Sequence, residues 1–333
     1  MISTRNRSTR LRGIVIGGIG AIALLATSAP ATSTATAAPA SDERGVKCAK
    51  GESGAARMVK GSNYRKDPNS ISTAKAASMN REFRSAVRLM RDGEGTPDND
   101  NLFHIPVYIH IIKGKDGVGA VSRERIASQM GVLNNGFQGR VEANSQKTPF
   151  EFDLRAIDVT QNPAWYRHFP GSKAERKMKG TLRRGDAHAL NVYLANPRPT
   201  GLLGYATFPQ FYDNRPELDG VVVLNRSLPG GKIEGFGQVY SRGDTLTHEV
   251  GHWLGLYHTF QGRCGPRGDY VTDTPKEQSP HFGYCRAGTR DTCPAAGNDP
   301  VDNFMDYSYD ACLDTFSKLQ ANRMRLSYKA FRR

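Results

Sequence analysis

Cysteine is scarce in this chain, five in 333 residues, and tryptophan scarcer at two. So few cysteines, four of them gathered between Cys264 and Cys312, exclude a scaffold stapled from end to end. Outside the amino-terminal leader no apolar run reaches the roughly 20 residues that cross a bilayer, which excludes a membrane bundle. No internal repeat is present, so a solenoid is excluded as well. Acidic residues are outnumbered 32 to 46, a net charge of +14 that invites a nucleic-acid reading. Its distribution argues otherwise. Residues 1–94 carry 16 basic and 7 acidic side chains and the remainder 30 and 25, so most of the excess lies upstream of the main domain. What is abundant is glycine and proline, 35 and 18, beside 38% hydrophobic residues, as expected of a loop-rich globular domain.

The most informative stretch is Thr247-His248-Glu249-Val250-Gly251-His252-Trp253-Leu254-Gly255-Leu256-Tyr257-His258. On a helix, His248 and His252 stand one turn apart on the same face, the separation two imidazoles need to grip one tetrahedral zinc. Glu249 is placed to take a proton from a water at that metal. Gly255 accepts the left-handed conformation that ends a helix, so the chain can turn and bring His258 to the same ion. Three histidines leave the fourth position open, as in catalytic rather than structural sites. The pattern His-Glu-x-x-His-x-x-Gly-x-x-His fixes five residues, an accident expected on the order of once in a hundred thousand chains of this length. His258 also argues against zinc peptidases whose third ligand is a distant glutamate.

The chain opens with Arg5, Arg7, Arg10 and Arg12, an apolar stretch from Gly13 to Leu25, and small residues through Ala37-Ala38-Pro39. That order predicts a secretory signal peptide over 1–38, cut near Ala37 or Ala38, leaving no membrane anchor. Residues 39–101 are expected to form a pro-segment and linker, with one amphipathic helix over Ser78–Met90, plausible processing points at Arg88 and Arg91, and an acidic turn-rich stretch over 92–101. Cys48 stands alone there. Its thiolate suits the open zinc position as a latency switch, or it is simply an unpaired thiol.

The main domain is expected over 102–333. Strands are predicted at 105–112, 150–157, 190–194, 202–209 and 220–225, the fourth at a sheet edge because of its glycine and proline. Ser122 caps a helix with Ile126, Met130, Leu133 and Phe137 on one face. Strand, helix, strands and then the zinc helix make the class α+β. Beyond His258 the chain turns irregular, and Cys264, Cys285, Cys293 and Cys312 read as two disulfides. Asp269 and Asp273, with Thr272, offer hard oxygens to calcium, or are solvated turn carboxylates. Met305 lies in Asn303-Phe304-Met305-Asp306-Tyr307, where a methionine is either ordinary core filling or the floor of a metal site. Tyr307 is positioned to stabilise a developing oxyanion. Ser317 caps a closing helix through Leu319, Met324, Tyr328 and Phe331.

Three segments together resemble the pappalysin family of metzincin zinc metalloproteases, its ulilysin-like branch. They are Asp244 through His258, Asp273-Thr274-Pro275, and Asp299 through Tyr307. The similarity extends over 103–333. It implies a twisted, mostly parallel sheet with helices above the cleft, and an irregular disulfide-stapled lower subdomain. It implies the pairs Cys264–Cys293 and Cys285–Cys312, structural calcium near Asp269 and Asp273, and Met305 as the Met-turn. The strand around Gly204–Phe208 would pair with an extended substrate. Relatives often favour a basic residue after the scissile bond, for which Asp310 is a partner here. They use a pro-segment cysteine in a Cys-Gly context, whereas Cys48 precedes Ala49.

The expectation is therefore a secreted, extracellular zinc endopeptidase acting on proteins and peptides, with His248, His252 and His258 on zinc and Glu249 as general base. Two rivals are distinct in class. A catalytically silent zinc-stabilised binding protein would keep the histidines without needing Glu249. A polyanion binder would use the basic run Lys173–Arg184, which also fits a solvated helix face, the commoner outcome for such a run.

Overall fold

The structure is a computed structural model that describes residues 56–63, 71–93, 102–285 and 290–332. The expected signal peptide over 1–38, Cys48, and most of the acidic stretch over 92–101 lie outside the described residues. In chain order come β1 (Ala56–Met58), α1 (Thr73–Gly93), β2 (Phe103–Lys113), α2 (Arg123–Phe137), β3 (Phe150–Gln161), α3 (Pro163–Tyr166), α4 (Lys173–Leu182), β4 (Leu190–Ala195), β5 (Leu202–Ala206), β6 (Val221–Leu224), α5 (Asp244–Trp253) and α6 (Lys318–Phe331).

The six strands form one sheet in the order β1-β5-β6-β4-β2-β3. Pairs β2–β3, β2–β4 and β4–β6 are parallel, while β5 and β1 add antiparallel neighbours at one end. Parallel strands need helices on their faces, and β4 and β6 are accordingly buried along their whole length. Ile126, Met130, Leu133 and Phe137 of α2 join Leu246, Val250 and Trp253 of α5 in one core with Ile105, Val107 and Ile109 of β2. The 3.6-residue spacing thus places the apolar face of α2 against α5 and the sheet, while α5 itself packs directly on β5 and β6. Ser122 accepts from Arg125 N, and Ser317 forms a reciprocal capping box with Gln320. On α6, Met324 and Tyr328 are buried, but Leu319 is exposed, because in the first turn Gln320 and Ala321 are the residues that face inward.

Two placements differ from the sequence expectations. β5 is not the sheet edge: Ala56–Met58 pairs along it, with Arg57 opposite Gly204. Nor does the basic run at α4 form a continuous charged face. Lys179 is buried, donating to Glu175 Oε1 at 3.0 Å and to Leu218 O at 3.0 Å. A side chain folded inward in this way presents nothing to a polyanion.

Helix α1 is docked along one side. Its Ala76 and Met79 join Phe208, Phe211 and Tyr257, and its Phe83, Val87 and Met90 join Leu326. Arg323 ties it further, donating to Asn80 Oδ1 at 2.9 Å and lying over the Phe83 ring at 4.5 Å. At the chain's end, Arg332 is buried. It donates to both oxygens of Asp219, at 2.9 and 3.1 Å, and sits 3.5 Å over the ring of Trp253. Among the described residues no helix is long and apolar enough to cross a membrane.

Candidate metal centre

Helix α5 runs from Asp244 to Trp253 and is buried throughout. It ends in a Schellman motif: Leu256 N donates to Gly251 O at 3.0 Å and Gly255 N to His252 O at 2.9 Å. Gly255 has φ +97°, and a side chain there would also collide with Ser327. That turn swings His258 back toward the helix.

The three imidazoles converge. His252 Nε2 lies 3.0 Å from His248 Nε2 and 3.1 Å from His258 Nε2. His248 Nδ1 sits 2.6 Å from Phe304 O, and His252 Nδ1 2.8 Å from Leu256 O. A carbonyl only accepts, so those Nδ1 atoms carry the protons and the Nε2 lone pairs face one another. Burial, then the neighbouring His252 and His258, holds His248 well below the usual imidazole range, and burial brings His252 down to about 4. Neutral nitrogens with facing lone pairs repel unless a cation lies between them. Tetrahedral zinc with Zn–N near 2.0 Å would set them about 3.3 Å apart. The donor set fits zinc, and among the described residues it is the one His/Cys/Asp/Glu group arranged to hold a metal ion.

The floor and walls come from distant segments. Met305 lies under α5, so close that a Cβ at Gly251 would come within 2.5 Å of its Sδ. Phe260 stacks on His258 at 4.6 Å between centroids, and the Tyr307 ring meets His258 edge-on at 4.9 Å. Phe208 meets His252 at 5.6 Å. Glu249 is fully buried between α5 and β5, and a side chain at Gly204 would come within 2.9 Å of its Oε1. The glycine on that strand leaves room for the carboxylate.

Arg57 reaches the same place from the amino-terminal side, which sequence reasoning did not foresee. Its backbone N donates to Glu249 Oε1 at 3.2 Å. Its guanidinium, 0% exposed, fills a pocket, donating to Asp310 Oδ1 at 2.8 Å, Thr245 Oγ1 at 3.0 Å and Ser308 O at 2.6 Å. The Tyr240 ring lies 5.5 Å away beneath it. Arg57 carried no signal of its own, since a lone basic residue in a short apolar run has no periodicity to read.

Below the cleft, Cys264 is bonded to Cys293 and Cys285 to Cys312. The two candidate calcium ligands are placed differently. Asp273 accepts from Ser317 Oγ at 2.6 Å and Leu319 N at 2.9 Å, anchoring the start of α6. Asp269 is buried, accepts from Val271 N at 2.9 Å, and burial pushes its carboxyl up to about 7. A carboxyl raised above its unfolded value favours the fold while protonated, so its contribution is whole below pH ~4 and lost as pH rises through ~7. In calcium-free buffer the wild type should therefore lose stability relative to Asp269→Asn between about pH 4 and 7, by at most about 1.4 kcal/mol per pH unit. Parallel melting curves of the two proteins across that range would refute this.

A mixed, mostly parallel sheet, a helix bearing two of three converging histidines and a glycine turn supplying the third define a zinc metallopeptidase of the metzincin type. The particular family follows from comparison. Residues 190–328 match the profile of peptidase family M43, described as pregnancy-associated plasma protein-A. The chain is 39% identical over 256 residues to extracellular metalloprotease 1 of Coccidioides posadasii, covering 75% of this chain and 86% of that one. It is 41% identical over 235 residues to an extracellular metalloprotease of Colletotrichum graminicola, covering 68% and 77%. The chain belongs to the M43 pappalysin family and is a metalloprotease. Among solved structures, mature mirolysin of Tannerella forsythia with a cleaved peptide aligns at TM-score 0.57 and 27% identity, over 71% of this chain and 97% of that one. A promirolysin variant aligns at TM-score 0.61 and 25% identity, over 76% and 87%.

Proposed function

We propose that this chain is a secreted zinc endopeptidase that cuts extracellular proteins on the amino side of basic residues. One observation carries the reading: a backbone amide nitrogen lies 3.2 Å from Glu249 while the arginine that bears it is held by Asp310. His248, His252 and His258 hold the metal, which supplies Lewis acidity that acidifies water and polarises a carbonyl. Glu249 takes a proton from the attacking water and delivers it to the amide nitrogen as the C–N bond breaks. β5 aligns the substrate backbone, and the Asp310 pocket selects the residue after the cut. Tyr307, packed on His258, is assigned to stabilise negative charge on the carbonyl oxygen. Met305 supports the helix that bears two of the ligands.

Calcium belongs to this reading through Asp269 alone, since Asp273 is already engaged by α6. A hard cation would stabilise the buried carboxylate in its charged form, so added calcium should offset the stability lost at alkaline pH.

The test is a peptide library digested by the processed protein, with fragments sequenced and zinc measured on the same sample. One zinc per chain and cuts preceding Arg or Lys are expected. Full zinc occupancy with no hydrolysis would instead indicate a zinc-stabilised binding protein.

A further inference from the structure

We infer that helix α1 is a binding surface for an acidic polysaccharide, which holds this extracellular protease where that polymer is. Arg81, Arg84, Arg88 and Arg91 follow one another at spacings of three, four and three residues. At 3.6 residues per turn they fall within an arc of about 80° and run for about 15 Å along the axis. All four are exposed, the Arg88 side chain to 83%. The opposite face carries Met79, Phe83, Val87 and Met90 into the domain, and that docking fixes which way the arginines point. It also places on the domain part of the positive charge that the sequence concentrates upstream. Over Thr73–Gly93 five basic side chains stand against two acidic ones.

The stripe does little for the helix itself. Like charges three and four residues apart oppose helix formation, and here three such pairs follow in line. Only Arg91, in the last turn, complements the helix dipole, and only Arg88 has a carboxylate near, Asp92 at 3.6 Å on the open surface. Among the described residues Arg81, Arg84 and Arg91 make no ion pair. The arginines around α4 are engaged locally instead: Arg176 donates to Gly171 O, Arg183 to Gly185 O at 2.8 Å, and Arg184 pairs with Asp158 at 3.3 Å. A row of anionic groups laid along α1 would relieve its repulsion, and guanidinium forks grip the oxygens of such groups two at a time.

The chemistry of the face selects the polymer. A membrane needs apolar side chains to insert, and those of α1 are already buried in the domain, leaving Leu89 as its one exposed large hydrophobic residue. Single-stranded nucleic acid is held by aromatic rings that stack on its bases, and the one aromatic residue of α1, Phe83, is buried. A chain of acidic sugars needs only cations in a row, and it is met in the extracellular space where this protease belongs.

The experiment measures binding of the secreted wild-type chain, its intact mass reporting whether residues 73–93 are present, to immobilised dextran sulfate at about 0.15 M salt. Neutral dextran, duplex DNA and anionic-lipid vesicles are run in parallel. Binding to dextran sulfate that weakens as salt rises is expected, with none to neutral dextran and at least tenfold weaker binding to DNA and vesicles. Arg81→Gln, Arg84→Gln and Arg88→Gln combined should weaken it at least tenfold. Lys173→Gln, Arg176→Gln and Lys177→Gln combined should change it less than twofold. Hydrolysis of a short peptide substrate and the melting temperature should not fall in either, since every replaced side chain is exposed. Asp92→Asn, which frees Arg88, should tighten binding, a gain that misfolding cannot imitate. Equal weakening by the α1 and α4 sets, or no weakening by the first, overturns the inference. Stronger binding to DNA or to vesicles assigns the surface to that partner and overturns it too, as does a secreted chain that lacks α1.

Discussion

Glu249→Gln in the processed enzyme is expected to lower peptide hydrolysis by about 10²- to 10⁴-fold, the range general acid–base groups contribute, with zinc content unchanged. The carboxylate lies one residue beyond the first ligand, fully buried, beside Gly204 and 3.2 Å from an amide nitrogen. Glutamine keeps the volume that Gly204 leaves open, so the helix and its ligands have no reason to move. What it loses is the ability to accept a proton from water and return it to nitrogen. The two measurements separate the causes: a rate loss with full zinc locates the defect in proton transfer, and a rate loss with zinc loss locates it in the metal site. A rate within a fewfold of wild type, at full zinc, would remove Glu249 from the chemistry.

Asp219→Ala is expected to destabilise the domain by about 3–5 kcal/mol, because it leaves the buried Arg332 charge uncompensated. Asp219 holds three donors at once, two from Arg332 and the indole Nε1 of Trp253 at 3.0 Å. Arg332 also donates to the Trp253 and Ala187 carbonyls, at 3.1 Å each. The cluster therefore fastens the residue that follows α6 to the last residue of the zinc helix. For a domain of this size the melting temperature should fall by roughly 6–20 °C, since each kcal/mol shifts it by about 2–4 °C. Replacing both partners with apolar residues, Asp219→Leu with Arg332→Met, should recover much of the loss, as neither charge is then stranded. A single replacement costing under about 1 kcal/mol would show that water reaches the cluster. The functional consequence is specific. Trp253 follows His252 directly, so a loosened end of α5 should weaken zinc affinity together with stability.

The metal-binding helix was legible because its signals are local. Two ligands one turn apart, a carboxylate beside the first, and a glycine able to take φ +97° are all set within eleven residues. The same holds for α2, whose apolar face repeats at helical spacing, and for the strands, whose burial follows their apolar runs. Cysteine content announced two disulfides, and the chain's resemblance to its family implied which cysteines meet. Asp269 and Asp273 were less tractable. Two carboxylates four residues apart look alike in sequence, yet one is buried and the other holds the start of α6.

By itself, then, the amino-acid sequence determined the ligand set, the elements that carry it and the class of chemistry, each through contacts between near neighbours. Tertiary structure alone decided what lies against β5, which pocket takes a guanidinium, that α1 is part of the packed domain, and that Arg332 is held in a buried ion pair. Arg57 meets Glu249 across 192 residues and Asp310 across 253. Periodicity and capping act over a few residues of one element, whereas a three-residue strand and a lone arginine acquire meaning only from the surfaces the completed fold sets around them.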